Sequence, residues 1–125
     1  MTPCGRVKQV LQCTGARDSF REAMRHILER HKHDAIAQLQ ANINQLETKG
    51  SLRSPDKFNF EGSLPNDQKY YAIKTTQGLR AYGWFEGSIY WISHFAYKDS
   101  KKRKNVDNER VLHNWRLKQQ EKHNA

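Results

Sequence analysis

Nine of the 13 aromatic residues fall between Tyr70 and Tyr97, and two dipeptides ending in glycine, Gln77-Gly78 and Glu86-Gly87, cut that stretch into three runs of strand length. Tyrosine, tryptophan, phenylalanine and isoleucine suit a pleated, half-buried surface, and a turn every eight to ten residues folds such runs back on one another. The expectation is a three-stranded antiparallel meander over 68–76, 79–85 and 88–97. A sheet holding most of the apolar bulk obliges the rest of the chain to cover it.

Upstream, the period changes from two to about three and a half. Phe20, Ala23, Met24, Ile27 and Leu28 recur as one helical stripe over 19–30, with Ser19 and Glu22 spaced as a capping box. Ile36, Leu39, Ile43 and Leu46 form a second stripe, opened by Asp34 and closed by Lys49-Gly50. His31-Lys32-His33 between them reads as the elbow of a helical hairpin, with one continuous helix as the alternative. Residues 51–67 contain two prolines and several turn formers and read as a loop. Residues 6–12 suggest a weak first strand. The chain from Asn105 onward reads as a final helix, with Val106, Leu112 and Trp115 toward the core and 119–125 as a frayed end. The fold class expected is α+β, a single domain over 1–125: an N-terminal helical hairpin packed on a small antiparallel sheet, with a C-terminal helix.

Length and charge bound the function. A chain of 125 residues supports one core. Its net charge of +9 is uneven, +3 over 1–66 and +6 over 67–125. With a pI near 9.8, that asymmetry points to an anionic partner: nucleic acid, an acidic protein or an anionic membrane surface. No apolar run approaches the ~20 residues a spanning helix needs. The opening MTPCGRVKQVLQC lacks the apolar run of a signal peptide, so Cys4 and Cys13 read as free thiols in a reducing cytosol, a disulfide between them being the alternative.

The stretches YYAIKTTQGLRAYGWF and YWISHFAYKDSKK, followed by NERVLHNWR, resemble in their order the RelE/ParE toxin superfamily, and in particular its HigB-like, phage-derived branch. The resemblance covers roughly residues 18–118. The branch usually has an arginine where Lys74 stands, paired lysines where Lys98-Asp99 stands, and Thr-Pro where Lys104-Asn105 stands. It implies a RelE-like fold and the toxin of a type II toxin-antitoxin pair, a ribosome-dependent mRNA endoribonuclease that needs no metal or other cofactor. It implies as partners the ribosome, messenger RNA and a cognate antitoxin of the helix-turn-helix kind, which binds the basic face or the hairpin, with a homodimer or toxin-antitoxin hetero-oligomer as the assembly. Other members of the superfamily inhibit gyrase without cleaving anything, and a nucleic-acid-binding module without toxicity is a third expectation, because fold alone does not fix function.

RNA cleavage by 2′-hydroxyl attack requires proton transfer and fixed positive charge at the phosphate. His94, alone among the histidines on the expected sheet, titrates in the useful range and is the candidate for proton transfer; a hydrogen-bonded core histidine is the structural alternative. Arg80 suits bidentate phosphate binding, with Lys74 as a second charge beside it. A two-residue turn at Gln77-Gly78 sends Lys74 and Arg80 to opposite faces, and one extra loop residue reunites them. Tyr82 and Tyr97 are candidates for stacking on unpaired bases, whereas Trp91 reads as core. Lys98, Lys101, Lys102, Arg103 and Lys104 form either a landing strip for RNA or a solvated run. His26, His31 and His33 lack the companions a metal site needs.

Overall fold

The computed structural model describes residues 9–52, 56–98 and 101–124, and is α+β. The chain runs β1 (Gln9–Gln12), α1 (Ala16–Met24), α2 (Glu29–Lys49), β2 (Phe58–Ser63), β3 (Lys69–Lys74), β4 (Leu79–Glu86), β5 (Ile89–Tyr97) and α3 (Lys101–Asn124). The five strands form one sheet in the order β1-β5-β4-β3-β2. The β2-β3-β4-β5 ladder is antiparallel, and β1 joins β5 in parallel, so the sheet is mixed where an antiparallel one was expected.

Alternation along the strands divides the side chains into two layers. Ile73, Leu79, Ala81, Tyr90, Ile92 and Phe95 pack against Ala23, Met24, Ile27, Ala35, Leu39 and Leu46 of the hairpin. On the other face Tyr70, Ala72, Tyr82, Trp84 and Ala96 meet Val111 and Trp115 of α3. The sheet is therefore buried on both sides, which explains why its strands read as nearly continuous aromatic and apolar runs.

Several expectations change. The stretch read as a loop over 51–67 contains β2, an edge strand whose Phe58 and Phe60 stand opposite Ile73 and Tyr71. The elbow lies at 25–28, ahead of His31-Lys32-His33, which belongs to α2. The break there buries Ile27 and leaves Leu28, expected in the core, 59 % exposed at the N-cap of α2. Ser19 is no cap. α1 starts three residues earlier, and the buried Ser19 hydroxyl donates to the Ala16 carbonyl while accepting the Phe95 amide at 2.9 Å, tying the helix to β5. In α3 it is Val111 that is buried, whereas Val106 is exposed. The helix continues to Asn124, past the frayed end expected from 119, because Gln119 and Lys122 both bind Glu86 of β4.

The β1 edge is closed by a side chain. The Val10 amide donates to Glu47 Oε2 of α2 at 3.0 Å, which occupies a hydrogen-bonding group that another strand would otherwise take.

Candidate nucleic-acid interface

The hairpin joining β3 to β4 decides the geometry at one end of the sheet. The Thr75 amide bonds the Leu79 carbonyl at 3.1 Å, and Gly78 takes φ +95, the left-handed conformation that ends a three-residue loop. That loop is one residue longer than a two-residue turn, and Lys74 consequently stands directly opposite Arg80. The two cations share a face with Tyr82, two residues along β4. Lys98 follows β5 beside the same turn, its amide donating to the Gly78 carbonyl at 2.6 Å, and the alternation from Ala96 places it on the Arg80 face. Lys101, Lys102, Arg103 and Lys104 form the first turn of α3, which leaves from this end. The side chains of those four residues, and Asp99 with Ser100, lie outside the described residues.

A bulge in β5 shapes the neighbouring floor. Tyr82 pairs with His94 but Gly83 pairs with Ile92, leaving Ser93 as the extra residue. Strict alternation would send Ser93 and His94 to opposite faces; the bulge turns both toward α3. The partner position must be glycine, since a Cβ at Gly83 would lie 2.0 Å from the Trp91 carbonyl oxygen.

His94 is thereby carried into a buried polar network. It is 1 % exposed, its Nε2 lies 2.8 Å from Asp107 Oδ1 and its Nδ1 3.0 Å from Ser93 Oγ. Asn114 Nδ2 donates to both oxygens of Ser93, at 2.8 Å to Oγ and 3.1 Å to the carbonyl. An ionised Asp107 carboxylate can only accept, so in that contact His94 Nε2 carries the proton and donates to Oδ1. The Tyr82 ring stacks on the imidazole, centroids 5.1 Å apart and planes 14° from parallel. Burial raises the Tyr82 phenol above its ordinary range, reinforced by the Asp107 charge and partly offset by the nearby Arg80 side chain. Tyr70 caps the same layer, donating to Asn108 Oδ1 at 2.9 Å, and burial chiefly pushes its phenol up to about 12.

The sequence-predicted residues therefore separate into two groups. Lys74, Arg80, Tyr82, His94 and Lys98 share one face, with His94 and Tyr82 beneath α3. Tyr97 lies on the opposite face, opposite Leu79, and stacks on His26 at 5.5 Å. Trp91 carries the Lys118 ammonium 4.1 Å above its ring. Ser93, Asp107, Asn108 and Asn114 escaped the sequence reading. Only a bulge brings Ser93 beside His94, and nothing in the spacing of the polar residues of α3 distinguishes Asp107 from its solvated neighbours.

Among the described residues no cluster of three or more histidine, cysteine, aspartate or glutamate side chains is arranged to hold a metal ion, and no helix is long and apolar enough to cross a membrane. No family model, curated protein or solved structure matches this chain.

Proposed function

We propose that this protein is a RelE/HigB-like toxin that acts on RNA at the cationic end of its sheet. The observation that carries the reading is the direct opposition of Lys74 and Arg80. Like charges opposed across strands cost stability, and an anion between them reverses the sign of that interaction. A phosphodiester fits, since a guanidinium binds two of its oxygens while the ammonium neutralises from the side. The excess positive charge of the C-terminal half supplies the long-range attraction.

In cleavage, the ribose 2′-hydroxyl attacks the adjacent phosphorus and gives up its proton, the P–O5′ bond breaks, and the 5′-oxygen takes up a proton, leaving a 2′,3′-cyclic phosphate and a 5′-hydroxyl. Lys74 and Arg80 would stabilise the charge that grows on the non-bridging oxygens. His94 would take or give a proton only after parting from Ser93 or Asp107, because both of its ring nitrogens are engaged. That burial favours a second reading, an RNA-binding module that does not cleave.

Controlled expression in bacteria, with mapping of RNA ends by primer extension and assay of plasmid supercoiling, tests the proposal. Growth arrest with new RNA ends that Arg80→Ala abolishes supports the cleaving toxin. RNA binding without new ends leaves the second reading. Arrest with altered supercoiling and intact RNA would overturn both in favour of gyrase inhibition.

A further inference from the structure

The pair formed by Lys74 and Arg80 extends to a third chain segment. The Lys74 amide donates to the Lys57 carbonyl at 2.8 Å, which continues the β2-β3 register one residue beyond Phe58 and Ile73 and sets Lys57 opposite Lys74. Phe58 and Ile73 belong to the hairpin layer, so alternation turns Lys57 and Lys74 to the other face, the one that carries Arg80 and Tyr82. With neighbouring strands about 4.8 Å apart, Lys57, Lys74 and Arg80 make a cationic row roughly 10 Å long that runs across the strands. Beyond Arg80 the row meets the buried Ala96 of β5, and Lys98 stands two residues on.

The row is open to an anion. Lys57 is exposed, Lys74 and Arg80 are half-buried, and none of the ion pairs among the described residues engages any of the three. Glu61, a carboxylate further along β2, is held by Asn59 Nδ2 at 2.7 Å. Three like charges side by side destabilise the free sheet, and a polyanion laid along them turns the repulsion into attraction. A row of that length exceeds one phosphate group and suits two consecutive phosphates of one strand.

We propose that Lys57 completes the phosphate site, so that single-stranded RNA crosses the strands at this end of the sheet and seats two consecutive phosphates, one at Arg80 and Lys74 and the next at Lys57. The inference rests on the reading of Lys74 and Arg80 as a phosphate site, and it gives that site a direction: the RNA passes over the β2 edge.

The test measures binding of the whole protein to a labelled single-stranded RNA oligonucleotide of mixed sequence, by fluorescence anisotropy across a salt series. Lys57→Gln, at an exposed position, should flatten the salt slope by about 0.7 and lower affinity roughly fivefold at 0.1 M salt, the counterion contribution of one phosphate on a single strand. Arg80→Ala should flatten the slope by a similar amount, and the double variant by about 1.4, since two phosphates are lost. Lys69→Gln removes the same charge from the opposite face, where the Lys69 ammonium lies 5.6 Å over the Phe60 ring, and should bind as wild type. If Arg80→Ala flattens the slope while Lys57→Gln leaves it unchanged, the row is overturned and the two-cation site stands. A double variant whose slope falls no further than that of Arg80→Ala overturns the second phosphate in the same way. Equal losses in Lys57→Gln and Lys69→Gln would reduce the effect to net charge and overturn the row as well. If neither Arg80→Ala nor Lys74→Gln changes affinity or slope, the phosphate site falls and takes this inference with it.

Discussion

Lys74 and Arg80 face each other across neighbouring strands, two cations on one side of a sheet whose buried side chains are mostly aliphatic and aromatic. In the free protein they repel, and the arrangement costs on the order of 0.2–1 kcal/mol.

Replacing Lys74 by glutamine should therefore leave the free protein as stable as wild type or up to about 1 kcal/mol more stable at low ionic strength, a gain that disappears at high salt. Urea unfolding at two salt concentrations reads this directly. Single-stranded RNA at a hundredfold excess over its Kd should stabilise wild type by about 2.7 kcal/mol and Lys74→Gln, which binds more weakly, by visibly less at the same RNA concentration. Destabilisation of the free variant would show that Lys74 is held by favourable contacts and is not waiting for an anion.

Gly83 should tolerate no side chain. A methyl group there meets the Trp91 carbonyl oxygen, part of the backbone, so the bulge must open or slip. Gly83→Ala is expected to cost at least the 1–3 kcal/mol typical of overpacking, measured by chemical denaturation. In its NMR spectrum the contacts from Ser93 and His94 to α3 should weaken before those of the hairpin layer, because the bulge delivers only the former.

Acid should loosen the C-terminal half of α3 first. Burial of Glu86 alone would raise its carboxyl, but hydrogen bonds from Lys122, Trp84 and Gln119 and the Lys122 charge outweigh it and hold the group below its ordinary range. A carboxylate depressed in the folded state contributes stability that is fully present above the unfolded value of about 4.5 and is lost as pH falls through the lower folded value. Stability measured from pH 7 to pH 3 should decline over that interval in wild type and more gently in Glu86→Gln, with hydrogen exchange near 118–122 rising first.

The Cys13 thiol should react slowly. Burial is the main cause that pushes it from 9.0 to about 11, with Lys118 opposing and Glu121 and Glu86 adding to the shift. In a Cys4→Ser background, alkylation by iodoacetamide at pH 8 should lag far behind that of the urea-unfolded chain, since the thiolate is the nucleophile. Because the folded state favours the protonated thiol, its contribution to stability is intact below pH 9 and fades as pH climbs toward 11. Equal rates in folded and unfolded protein would contradict the burial of this side chain.

Much of the architecture was legible before any coordinates. The stripes through Leu39 and Leu46 and the aromatic runs cut at Gly78 and Gly87 are local signals, because helical and strand periods are written in neighbouring residues and a glycine turn needs only its own backbone freedom. The cationic character of the C-terminal half was legible for the same reason, as a sum over residues. What tertiary structure alone decided is where those elements meet. One residue of loop between Lys74 and Arg80 chose whether they share a face, and one extra residue at Ser93 carried His94 into contact with Asp107, thirteen positions away. Edge strand β2 was hidden among prolines and turn formers, and β1 became a strand by pairing with β5 in parallel. Register, bulges and long-range pairing depend on which surfaces are buried together, a property of the folded whole that no window of sequence contains.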